Sequence, residues 1–243
     1  MNAIVMLLLL AAQSAGASQS KTVDHSAFDK ILRENVRDER VDYKNIKAKS
    51  LGDLDEYLAM LAAVDVKSLP KNERLAYDIN LYNATMIRAV ITHYQAGYSP
   101  AKDNYAVFKE PLVKTDGKTI TLDALEKEVI IPTFKDPRVH VALVCGARSC
   151  PPILARAYRG DDLDKVLDEN MKRFVADRSR NPIDDAKKEL KLSRIFDWYA
   201  ADFGGKDKVK EYVGKIAGKD YSAYTVSFVD YSWDLNDVQS VNK

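Results

Sequence analysis

The chain has 243 residues, 46% of them hydrophobic and 30% charged, with a formal net charge of +1. That balance is globular: too apolar for extended disorder, and too even in charge for a bulk attraction to nucleic acid or to an anionic membrane. Two cysteines exclude a disulfide-dense scaffold, and three histidines keep any histidine-based site small.

Ile4 to Ala12 is an apolar run, IVMLLLLAA, and Ala15-Gly16-Ala17 supplies small residues after it. The pair reads as a signal peptide over residues 1–17, cleaved near Ala17. No apolar run is long enough to span a bilayer, so no transmembrane span is expected in the mature protein. The mature chain, residues 18–243, is expected to be one domain in the periplasm or outside the cell. An oxidising compartment would permit a Cys145–Cys150 disulfide.

Phe28 to Val36 has the apolar spacing of an amphipathic helix. Val41-Asp42-Tyr43 is a short extended piece. Leu51 to Val64 reads as a second helix. Pro70 opens a third, which runs to about Tyr94. This helix is apolar nearly all round, so it should be buried. Asn80 and Asn83 project from it, and must find hydrogen-bond partners or line a cavity. Asp116-Gly117 between two extended runs predicts a hairpin. Asp123 to Ile131 reads as a short helix, with Asp123 and Glu126 spaced as a capping box. Arg138 to Cys145, RVHVALVC, reads as a buried strand. Pro151-Pro152 opens a helix over ILARAY. Leu163 to Phe174 is helical, Leu190 to Leu192 extended, Val209 to Ile216 helical and Thr225 to Tyr231 extended. Helices mixed with a hairpin and separated strands predict an α+β domain, with helices around a small mixed or antiparallel sheet.

The stretch from Asp136 to Pro152 carries the chemistry. It holds both cysteines and His140. A thiol at Cys150 on the predicted helix start would meet free N–H groups and the positive end of the helix dipole, which favours thiolate. His140 could serve as its base. On a regular strand His140 and Cys145 point to opposite faces, so Cys150 is the preferred nucleophile and Cys145 the alternative. Glu126 could orient His140, or simply cap its helix. Arg148 could bind a substrate carboxylate through its planar fork. Three other readings stay open: a Cys145–Cys150 disulfide, a metal site of His140, Cys145 and Cys150 with loose spacing and no fourth ligand, and a buried His140 with inert thiols.

The same residues resemble domain of unknown function family 547. Val41-Asp42-Tyr43, Ala76 to Ala84 (AYDINLYNA), Ile120 to Glu126 and Asp136 to Pro152 (DPRVHVALVCGARSCPP) are similar to successive motifs of that family. Leu192 to Tyr199 with Asp202-Phe203, and Tyr231 to Asn236, resemble its later ones. Lys127 stands where the family often has His, and Asp78 where it has Trp. The order of helix, His and Cys looks like the papain/transglutaminase-like group. The combined expectation is an exported cysteine-dependent acyl-transfer or amide-hydrolysing enzyme, without cofactor or metal, acting on a small peptide or thiol compound. Cys150, His140 and Glu126 are the candidate catalytic residues; Asn80, Asn83 and Arg148 are candidates for substrate binding. The alternative is a non-catalytic periplasmic binding module stapled by a Cys145–Cys150 disulfide.

Overall fold

The computed structural model describes residues 21–241. The expected signal peptide lies outside the described residues. Helix α1 (Ser26–Asn35) buries Phe28, Ile31 and Leu32 on one face. A two-residue turn then joins β1 (Val36–Arg37) to β2 (Arg40–Val41), with Val36 opposite Val41 and Arg37 opposite Arg40. Helix α2 (Leu51–Ala62) buries Leu54, Tyr57 and Leu61.

Helix α3 (Lys71–His93) is the axis of the domain, and every residue from Leu75 to Ile87 on it is buried. That burial follows from apolar side chains around the whole circumference. The predicted hairpin forms from β3 (Val113–Thr115) and β4 (Lys118–Ile120), with Asp116 at φ 49° and Gly117 at φ 69° in its turn. Both values suit the primed two-residue turn, whose twist matches that of its strands.

Residues 122–134 form one helical run, α4, which passes through a π-helical stretch at Leu125–Ile130. The capping-box expectation is corrected here. Thr121 is the cap, and its hydroxyl accepts from the Ala124 N–H at 3.0 Å. Asp123 instead pairs with Lys127 at 2.8 Å, and Glu126 turns inward and is buried.

The expected strand over Arg138–Cys145 is absent. Pro137–Val141 is a 3-10 helix, opened by Asp136, whose carboxylate accepts from the Arg138 N–H at 2.9 Å. An apolar run this short fits a buried strand or a buried helix equally well, and here it has no sheet neighbour. Its backbone is satisfied by asparagines instead. Asn83 donates to the Ala142 carbonyl and accepts from the Val144 N–H, both at 2.9 Å. Asn170 donates to the Val141 carbonyl.

The expected helix after Pro151-Pro152 is also absent: residues 151–159 are irregular. Side chains from two helices hold this segment. Asn80 donates to the Tyr158 carbonyl at 2.8 Å and accepts from its N–H at 2.9 Å. Asp29 accepts from the Ala157 N–H at 3.1 Å. These bonds occupy backbone groups that a helix would need, so tertiary contacts override the local preference.

Helix α5 (Leu163–Ala176) packs on the 3-10 helix. It leads to a three-stranded mixed sheet. Strand β5 (Ile183–Asp184) is antiparallel to β6 (Glu189–Leu192), which is parallel to β7 (Thr225–Phe228). Between the last two lie α6 (Ile195–Trp198) and α7 (Val209–Ala217). The sheet has its own apolar cluster, with Phe174, Phe196 and Val213 at its centre. The α+β architecture is as expected. Residues 231–237 return to the first core, bridging Leu235 to Ala147 and Asp237 to Val41.

Candidate functional site

A cavity of about 350 Å³ opens between α3, α4, α6 and the returning 231–237 segment. Tyr82, Glu126, His140, Cys145, Cys150 and Tyr199 line its interior. Tyr105, Trp198, Tyr231 and Trp233 form one aromatic wall. Trp198 and Tyr231 have ring centroids 4.7 Å apart, Tyr231 and Trp233 5.0 Å, and Tyr105 and Trp233 4.8 Å.

His140 sits under this wall, stacked on Tyr199 at 3.9 Å. Its Nε2 is 2.7 Å from the Asp202 carboxylate. Burial lowers the imidazole pKa, and Asp202 only partly restores it. A neutral ring beside a carboxylate acceptor keeps its proton on Nε2, which leaves Nδ1 as a lone-pair base. Glu126 receives a very short hydrogen bond from the Tyr199 hydroxyl. Burial raises the Glu126 pKa, against the bonds from Tyr199 and Tyr82 that favour the anion. A raised carboxyl pKa gives this side chain the character of a proton donor.

The two thiols differ. Cys150 Sγ accepts the Cys145 backbone N–H at 2.9 Å. Burial opposes its ionisation, but the bonds from Cys145 and Tyr231 outweigh burial and lower its pKa. Cys145 Sγ lies 3.2 Å from the Tyr231 hydroxyl. Burial, then its neighbour Cys150, push the Cys145 pKa well above the ordinary thiol value. Both cysteines are free. The loop between them needs Gly146, at φ 76°, where an added Cβ would meet Met86 at 3.3 Å.

Residues 66–175 match the family described as a protein of unknown function, DUF547. That match spans a DUF547 region of the chain, short of half its length. No curated protein and no solved structure matches the chain. The DUF547 match takes in Tyr82, Glu126, His140, Cys145 and Cys150, whereas Tyr199, Asp202, Tyr231 and the two tryptophans lie beyond it.

Of the residues read from sequence, Glu126, His140, Cys145 and Cys150 share this one cavity, and all four lie inside the DUF547 match. Asn80 and Asn83 do not line it; they are buried behind it and brace backbone. Arg148 is exposed and lines other cavities, beyond the Cys145–Cys150 loop. Two arguments made from sequence lose their basis. Strand parity cannot separate the cysteines where no strand exists, and no helix begins at Pro151 to supply a dipole. The Cys145 N–H takes over that electrostatic task at Cys150. Sequence reasoning missed Asp202, Tyr199 and Tyr231 as site residues, although all three lie within the motifs that carry the resemblance. Among the described residues no cluster of three or more His, Cys, Asp or Glu side chains is arranged to hold a metal ion.

Proposed function

We propose that this protein is an exported cysteine-dependent enzyme that transfers or hydrolyses acyl groups of a small peptide or thiol compound. The observation that carries the reading is the N–H bond from Cys145 to the Cys150 sulfur, at 2.9 Å, in a cavity that also holds Glu126 and His140.

Cys150 is the nucleophile. Its thiolate adds to the carbonyl carbon, a C–S bond forms and the C–N or C–S bond to the leaving group breaks. Glu126, biased toward its acid form, donates a proton to the departing amine or thiol. His140 Nδ1 then takes a proton from the incoming water or acceptor, which releases the acyl group and returns Cys150 to its thiolate; that proton passes from His140 through solvent to Glu126, which regains its acid form. Asp202 is a positioning residue that holds the imidazole tautomer. Leader removal near Ala17 and residence in the periplasm or outside the cell belong to the same proposal, and rest on the apolar run at Ile4–Ala12.

The test is iodoacetamide alkylation of the reduced mature protein against pH. Cys150→Ser is expected to remove a fast phase already present at pH 7, and Cys145→Ser to keep it. A fast phase that follows Cys145 would move the nucleophile there. Two thiols no faster than free cysteine at any pH would end the enzymatic reading.

The second reading is a non-catalytic binding module in which oxidation joins Cys145 and Cys150, which are both free thiols in the structure. Thiol counting by mass spectrometry on protein exported from cells distinguishes the two. No label until reduction would support the stapled module.

A further inference from the structure

A second cavity of about 460 Å³ lies on the other side of the Ala147–Pro151 loop, so Cys150 lines both cavities. Three arginines face it: Arg40, Arg148 and Arg180. They are not equivalent. Arg180 is already engaged. It pairs with Glu39 at 3.0 Å and with Asp177, and its Nε donates to the Cys150 carbonyl at 3.0 Å. Arg40 and Arg148 make no ion pair and no side-chain hydrogen bond among the described residues, and Arg40 Nη1 is buried without a partner. A guanidinium taken out of water without an acceptor is costly, and elsewhere the chain avoids that cost. Arg74, Arg138, Arg156 and Arg194 each hold a carboxylate.

The local backbone adds a second, independent cost. Arg37 and Arg40 stand directly opposite each other in the β1–β2 hairpin, a like-charge pairing that weakens a ladder. The turn that forces this pairing holds two non-glycine residues in the left-handed region, Asp38 at φ 46° and Glu39 at φ 65°. Glu39 is tied to Arg180, which returns to the Cys150 carbonyl. The hairpin therefore delivers Arg40 to the cavity edge, with its position fixed and its charge unanswered.

We propose that this cavity is an oxyanion-binding site, in which Arg40 and Arg148 bind the carboxylate or phosphate group of a small molecule. Both guanidinium forks suit a bidentate oxyanion. The acids on the cavity wall leave room for it. Glu39 is held by Arg180, which it shares with Asp177, and Asp38 and Asp230 are exposed to solvent. The proposal stands without Cys150 being a nucleophile, because it uses neither thiol.

The experiment is calorimetric titration of the mature protein with three probes: inorganic phosphate, a dipeptide with a free C-terminus, and the same dipeptide as its amide. At least one of the first two is expected to bind saturably, and the amide is not. Phosphate binding alone would identify a phosphate ligand, and dipeptide binding alone a peptide carboxylate. Arg148→Ala, at an exposed position, is expected to weaken binding by about tenfold. Arg40→Gln should do the same, with circular dichroism confirming that it folds. Lys215→Ala, an exposed cation on α7, should leave the affinity unchanged. Absence of saturable binding for all three probes would overturn the proposal. So would amide binding equal to that of the acid, or binding that survives Arg148→Ala.

Discussion

His140 Nε2 and Asp202 Oδ2 meet at 2.7 Å across 62 positions of sequence. Burial drives the imidazole pKa down, and the carboxylate is the main influence holding it up. Asp202→Asn should therefore move the His140 titration to still lower pH, as read from its imidazole carbon resonance. The chain has only three histidines, so the signal can be assigned. An unchanged or higher midpoint would mean that Asp202 does not govern the ring.

Asn83 satisfies two buried backbone groups at once, the Ala142 carbonyl and the Val144 N–H. Asn83→Leu keeps the side-chain volume and removes both bonds. Each unmet group costs about 1–3 kcal/mol, so the variant should lose roughly 2–6 kcal/mol. For a chain of this size that lowers Tm by roughly 5–20 °C. Urea unfolding would measure it. A loss below about 1 kcal/mol would show that the loop has found other partners.

Two buried titrations oppose each other. Burial lowers the His25 pKa to about 4, from an ordinary value of 6.5. Its stabilisation is complete above pH 6.5 and is lost as pH falls toward 4. Burial raises the Asp78 pKa to about 6, from 3.8. Its contribution is present below pH 3.8 and is lost as pH rises toward 6. Between about pH 4 and 6 the two slopes, each up to about 1.4 kcal/mol per pH unit, cancel. His25→Gln should expose a stability that falls with rising pH across this window. Asp78→Asn should expose one that rises. Urea midpoints at pH 4, 5 and 6 would separate them, and parallel profiles for both variants would refute the assignment.

Both tryptophans of the chain, Trp198 and Trp233, line the thiol cavity. Intrinsic fluorescence is thus a reporter for this cavity. An occupant should quench or shift the emission. Trp198 is 49% exposed, so Trp198→Ala should cost little stability while it removes part of the response. A ligand that binds the thiol cavity and leaves the emission untouched would contradict this geometry.

Periodicity made α1, α2, α3 and α5 readable in advance, and turn chemistry did so for the β3–β4 hairpin. Each of these elements is specified by its own residues. The segment from Pro137 to Tyr158 was not readable in this way. Its backbone is held by Asn83, Asn170, Asn80 and Asp29, which reach it from other elements. One local cue was available: Asp136-Pro137 is a cap followed by a first-turn proline, which opens a helical turn rather than a strand. Glu126, His140, Cys145 and Cys150 were nameable from residue type and proximity. Asp202 reaches His140 only through tertiary packing, and a carboxylate 62 positions away gives no spacing to read.

The Tyr43 hydroxyl donates to Asn236 at 2.7 Å, over a separation of 193 residues. The same short segment supplies Tyr231 and Trp233 to the cavity and pairs Leu235 with Ala147. Closing so large a loop is entropically slow, and nothing nearer in the chain substitutes for it. Residues 26–217 contain all the main helices, whereas the outer wall of the thiol loop comes from the segment after them. The pocket around Cys145 and Cys150 is therefore incomplete until that segment is in place. Both thiols therefore owe their surroundings to the most distant part of the described chain, residues 231–237.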